Sequence, residues 1–214
     1  MVENKFKIIY QDPAWIYNAR NNPNTKFGNG MHKYTGSTVQ QLNDFELENF
    51  AAKDSAIITW TVAPKLDQYF EYVEHMKQFG FRHVTKLFCW IKVDKTGIPR
   101  ALPGNYTLSN SEDCYLMVRG KMPVLKKGFR QVISTEDLET EDIYTTVLKP
   151  HSTKPPSVKE KIVQIFGDVP RLELFARNIL KFQDGWVHCG NEVIGTEGLD
   201  IKEALNFIKE GRYL

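Results

Sequence analysis

The opening apolar run, Phe6-Lys7-Ile8-Ile9-Tyr10, is cut off by Asp12-Pro13-Ala14-Trp15, so the fold must place a proline-stiffened acidic corner at the end of its first strand. Proline cannot donate to a sheet ladder and fixes its own φ, so it stops the strand and stiffens the turn that follows. In open α/β sheets, ligands bind outside the carboxyl ends of the strands. An Asp-Pro at that position presents a carboxylate where a reaction site belongs. The same four residues also read as a common strand-to-loop turn followed by a buried tryptophan, and alone they leave both readings open.

With 214 residues, 42% hydrophobic and 25% charged, the chain has the size and composition of one well-cored α/β domain. We read 1–214 as a single domain, with a core over 1–195 and a C-terminal helix over 196–214. No apolar run approaches the roughly 18 residues that cross a bilayer, and the amino terminus lacks a charged-then-apolar signal pattern. A cytoplasmic protein without membrane contact is expected. The three cysteines, Cys89, Cys114 and Cys189, are odd in number and far apart, which indicates buried thiols rather than a disulfide framework or a metal site. A net charge of +2 does not by itself imply a polyanionic partner, so any such argument rests on where the basic residues lie.

The polar stretch 17–36 is rich in Asn and Gly and reads as a long loop beside the acidic corner, made mildly basic by Arg20, Lys26, His32 and Lys33. Residues 40–50 read as a short helix, 55–60 as a buried strand and 65–79 as a helix ended by Gly80. Strands follow at 84–93 and 112–119, joined through the turn residues 94–99 and a second long loop. The segment 120–130 carries Lys121, Lys126, Lys127 and Arg130 around Phe129, and 143–148 reads as a short edge strand. Residues 157–166 form an amphipathic helix with Val158, Ile162, Ile165 and Phe166 inward. Strands at 172–175 and 186–189 follow, and a helix over 200–209 puts Ile201, Leu205 and Ile208 on one face. That face offers enough apolar surface for a homodimer contact or for packing on the parent domain. Alternating strands and helices argue a mostly parallel sheet with helices on both faces.

Three separated signals share one order: Asp12-Pro13-Ala14-Trp15, then His151-Ser152-Thr153-Lys154-Pro155, then Glu173-Leu174-Phe175-Ala176-Arg177 with Gly190-Asn191-Glu192. Together with Gly104-Asn105-Tyr106, Asn110-Ser111-Glu112 and Arg119-Gly120-Lys121, they resemble the MT-A type of adenine-N6 methyltransferase over roughly residues 8–192. The resemblance implies a Rossmann-like fold that uses S-adenosylmethionine, with the catalytic motif ahead of the cofactor motif, as in the permuted β class. It implies that Asp12 and the Pro13 carbonyl hold the two N–H groups of the adenine amine while Trp15 stacks on the extruded base. That is positioning and preorganised electrostatics rather than covalent catalysis. The family's second proline is Ala14 here, which loosens the turn without removing the acid, the carbonyl or the aromatic ring.

The same resemblance assigns Gln11, Asp12, Lys154, Glu173, Phe175, Arg177, Asn191 and Glu192 to the cofactor region. Lys154 is placed toward the methionine carboxylate, Arg177 toward the ribose or an acid, and Asn191 and Glu192 toward the adenosine. Read without it, Lys154 is a lysine beside a helix-starting proline, and Glu173 and Arg177 form a mutual ion pair. Arg20, Lys26, Lys33, Lys121, Lys126, Lys127 and Arg130 are the expected phosphate contacts. His151 is given no catalytic role, because the product ammonium of N6 transfer is acidic and needs no strong base. The expected substrate is adenine in DNA, favoured over RNA because a chain of this length leaves no accessory RNA-binding region. Alternatives are an RNA enzyme, a non-catalytic nucleic-acid-binding subunit, or a methyltransferase acting on a small molecule or protein amide.

Overall fold

The computed structural model describes residues 5–16, 36–94, 96–99, 106–134, 154–180, 182–194 and 199–211. Strand β1 (Phe6–Gln11) is buried on both faces from Ile8 onward, and burial on both sides is what a central parallel strand requires. It pairs in parallel with β2 (Ala51–Thr61) on one side and with β6 (Arg171–Leu174) on the other. Beyond β2 lie β4 (Ser111–Arg119), β3 (Arg82–Ile91) and β5 (Val132–Ser134); beyond β6 lie β9 (Trp186–Cys189) and β8 (Phe182–Gln183). The eight-stranded order is β5-β3-β4-β2-β1-β6-β9-β8, and a separate parallel pair joins β7 (Arg177–Leu180) to β10 (Glu192–Ile194).

Helices cover both faces. On one, α1 (Val39–Asn43), α2 (Leu66–Lys77) and α4 (Ile201–Lys209) enclose a core that includes Ile9, Ile57, Met117, Leu172 and Cys189. Helix α2 points Tyr69, Tyr72, Val73 and Met76 inward at helical spacing. On the other face α3 (Pro156–Phe166) buries Val158, Ile162, Ile165 and Phe166 against Tyr10, Trp60, Trp90 and Trp186. The architecture is a mostly parallel α/β sheet covered on both faces, mixed because β4 runs antiparallel to both β2 and β3, and β8 to β9. An antiparallel pair such as β3–β4 needs no crossover helix, whereas a parallel pair does.

The helix expected over 40–50 is shorter. It ends at Asn43, Glu46 enters the left-handed region at φ 51°, and a single 3-10 turn, Leu47–Asn49, completes the segment. The edge strand expected at 143–148 lies outside the described residues. The apolar face of α4 is not available for a dimer: Ile201, Ala204, Leu205 and Ile208 are buried in this chain's own core. Cys114 and Cys189 are buried and Cys89 is partly so.

Candidate active site

The chain leaves β1 toward β2 on one side and later returns to β6 on the other, so the strand order reverses at β1. A crevice opens at such a switch point, outside the carboxyl ends of the strands. Asp12 and Pro13 follow β1 directly, and Phe175 follows β6. The acidic corner is held in shape by its backbone: the Trp15 amide donates to the Pro13 carbonyl at 2.9 Å, and the Ser37 amide to the Ala14 carbonyl at 2.6 Å. The Pro13 oxygen still has a second lone pair.

Lys154 is the hub. It precedes α3, its side chain is only 8% exposed, and its Nζ lies 2.5 Å from Asp12 Oδ2 and 2.9 Å from Glu112 Oε2. Glu112, near the start of β4, is also ion-paired with Lys92. The result is a row of alternating charge, Asp12, Lys154, Glu112, Lys92, with the Lys154 ammonium also over the Trp60 ring at 5.5 Å. Burial lifts the Asp12 carboxyl above its ordinary value, with Glu112 adding to the rise and Lys154 and the Arg177 guanidinium pulling against it. Burial opposes the charged form of Lys154 too, but Asp12 and Glu112 outweigh it and hold the ammonium above its usual range. For Glu112, burial is outweighed by Lys154 and Lys92, which keep the carboxyl low. The charged forms of Lys154 and Glu112 are therefore favoured, while Asp12 is pushed toward its neutral form and depends on Lys154 to stay ionised.

Sequence reasoning missed Glu112 as a site residue. An acid at a strand start reads as solvated, and its partner Lys154 is far away in sequence. The signal was present in the Asn110-Ser111-Glu112 stretch that resembles the family pattern.

Around the cofactor side, the Gly190 backbone passes so close to residue 176 that a Cβ there would lie 2.0 Å from the Ala176 carbonyl. That approach brings Gly190-Asn191-Glu192 beside Arg177, and Glu192 is the register partner of Arg177 in the β7–β10 pair. Asn191 is exposed and Glu192 partly so. Phe175 adopts a left-handed φ of 63° and packs against Phe45. A non-glycine residue in that region stores strain of roughly 1–2 kcal/mol, and such residues cluster at functional sites.

Several of the expected site residues have partners of their own within the fold. Gln11 is fully buried, and its amide donates to Thr59 Oγ1 at 2.9 Å within the sheet. Glu173 is not paired with Arg177; its Oε2 lies 3.0 Å from Lys159 Nζ and 2.6 Å from His188 Nδ1. Burial alone would raise its carboxyl, but the His188 hydrogen bond and the Lys159 ammonium hold it low, so Glu173 ties β6 to β9 and α3. Trp15 is 6% exposed, and its indole donates to the Trp60 carbonyl at 2.9 Å.

Lys121, Lys126 and Lys127, expected as phosphate contacts, lie at the end of the sheet opposite Asp12. Arg119 pairs with Ser55 near the start of β2, the Lys121 amide donates to Asp54, and Lys126 reaches Gln164 in the last turn of α3. Arg130 is exposed beside the β5 edge. Arg20, Lys26, Lys33 and His151 lie outside the described residues.

A mostly parallel sheet with helices on both faces and an acid at its switch point is consistent with the Rossmann-like methyltransferase fold. The chain belongs to the MT-A70 family, whose profile matches residues 6–192. It is 26% identical over 196 residues to the "Type II methyltransferase M.MunI" of Mycoplasma sp, covering 85% of this chain and 76% of that one. It is 25% identical over 198 residues to the human "N(6)-adenine-specific methyltransferase METTL4", covering 91% of this chain and 39% of that one.

Proposed function

We propose that this methyltransferase transfers a methyl group from S-adenosylmethionine to the N6 amine of adenine in DNA. The observation that carries the reading is the Asp12 carboxylate, fixed by Lys154 at the carboxyl end of β1 beside the Pro13 carbonyl. The adenine amine is a poor nucleophile because its lone pair is delocalised into the ring. Asp12 and Pro13 accept its two N–H groups, orient the amine and stabilise the positive charge that grows on it. Lys154 holds the acid in place throughout. Adenine is supported by the name of METTL4. DNA is supported by the type II name of M.MunI, the relative whose length this chain covers more fully.

The donor set fits S-adenosylmethionine. The alternating row Asp12, Lys154, Glu112 is complementary to a zwitterionic amino-acid end, and the exposed Asn191 beside Glu192 and Arg177 offers polar groups to a ribose. When bound, the cofactor supplies an electrophilic methyl on a sulfonium. Lys154, Arg177, Asn191 and Glu192 would hold it.

The test is transfer from labelled S-adenosylmethionine to mixed-sequence DNA and RNA, with the product digested to nucleosides. N6-methyladenine in DNA, reduced at least a thousandfold by Asp12→Asn with cofactor binding retained, is the expected result. Label in RNA alone would reassign the polymer. Cofactor binding without label in either would point to a partner-dependent or non-polymeric substrate.

A further inference from the structure

The connection between β3 and β4 carries apolar side chains that the fold does not use: Ile98 is 62% exposed, Leu108 62%, and Tyr106 is fully exposed. Single exposed hydrophobics are ordinary. This one sits on a stiff corner. Asp94 Oδ1 accepts from the Thr96 amide at 2.8 Å, the Thr96 hydroxyl at 2.6 Å and the Ile98 amide at 3.1 Å. The Asp94 amide donates to the Ile98 carbonyl at 2.8 Å, and the Gly97 amide to the Asp94 carbonyl at 3.0 Å. Gly97 takes the φ of 80° that lets the corner close, and Val93 bridges to Pro99.

The corner is tied to the reaction centre. The Lys92 amide donates to the Asn110 carbonyl at 2.7 Å, closing the base of the connection. Its ammonium pairs with Glu112, which pairs with Lys154, which holds Asp12. In the sequence, Lys95 and Arg100 lie on either side of Ile98. That combination suits a phosphate backbone flanking an inserted side chain.

The geometry points to Ile98 as a wedge that enters the base stack of a DNA duplex and fills the space left when the target adenine leaves it toward Asp12. The inference rests on the adenine-methyltransferase reading above. A base inside a duplex is out of reach of the acid, and the apolar side chains that proteins insert between base steps are of this kind. A preformed tip occupies the vacated space without being ordered first. Tyr106 and Leu108, ahead of β4, are further exposed apolar side chains of the same connection.

The test uses a duplex bearing a site that the wild type has been found to methylate, with the target adenine paired, opposite an abasic position, or in the single strand alone. Ile98→Ser, at a solvent-exposed position, leaves folding and cofactor binding intact. We expect its single-turnover rate to fall at least tenfold on the paired duplex and less than twofold on the two unpaired substrates. With 2-aminopurine at the target, the fluorescence rise on binding is expected from the wild type and not from the variant. Equal loss on all three substrates, or no loss on any, would overturn the wedge. A wild type that methylates only unpaired adenine would overturn it while leaving the methyltransferase reading intact, and a wild type inert on every nucleic acid would remove both.

Discussion

At the scale of the residue, the decisive group is Lys154, which holds two carboxylates that could not otherwise sit together. Removing one partner of a buried ion pair costs about 3–5 kcal/mol, whereas exposed pairs contribute at most about 1 kcal/mol. Lys154→Met is therefore expected to lower unfolding stability in urea by about 3 kcal/mol, and Lys77→Met, at the exposed pair with Glu74, by no more than about 0.5 kcal/mol. The pH profile carries the same signature. Asp12 accepts an amine N–H only as a carboxylate, and burial raises its carboxyl above the ordinary aspartate value. Activity should fall with acidification at a higher pH than an ordinary aspartate would give, and kcat/KM should rise through that limb. Removing the Lys154 ammonium, which pulls the carboxyl down, should move the limb to higher pH still. A limb unmoved in Lys154→Met would show that Asp12 is not the titrating group.

At the scale of the element, close approach matters more than chemistry. The Cβ of Gly190→Ala would meet backbone, which cannot swing aside, so the β7–β10 pair must separate from the end of β6. Overpacking of this kind typically costs about 1–3 kcal/mol. We expect a destabilisation near the top of that range, about 3 kcal/mol by thermal unfolding, with cofactor affinity measured by calorimetry falling at least tenfold. Elements of this sort divide into those the sequence made legible and those it did not. Helix α3 carries its core contacts at helical spacing, and β9 is a short apolar run bounded by glycines, so local pattern was enough for both. Strand direction has no local signature, so the reversal of β4 was not readable. Nor was the pairing of Glu173 with Lys159 and His188, since the nearer Arg177 offered the same charge. Asp12 and Lys154 were legible as motif residues, but their contact was not, because 142 positions separate them.

At the scale of the whole molecule, function is divided between the two ends of the sheet. The fixed charges of the crevice stand at the carboxyl end of β1, and Lys121, Lys126 and Lys127 stand at the other. A run of lysines read along the chain suggests a phosphate track, yet only the topology says which end of the sheet it reaches. Neutralising a lysine that touches a DNA phosphate lowers the salt slope of binding by about 0.9. Changing all three lysines to glutamine should leave both the slope and kcat unchanged on a short duplex. A slope reduced by about 2–3 would mean that DNA extends across the far end as well.

The chain contains four tryptophans, and three of them lie under cations. Trp60 lies beneath Lys154, Trp90 beneath Lys92 and Trp186 beneath Lys159 and Arg171, while Trp15 is hydrogen-bonded to the Trp60 carbonyl. The protein's tryptophan emission is thus sensitive to these cations. Any ligand that draws Lys154 from Asp12 or Glu112 should announce itself as a change in that emission without an added label. Trp60→Phe should abolish most of the signal while leaving the affinity it reports.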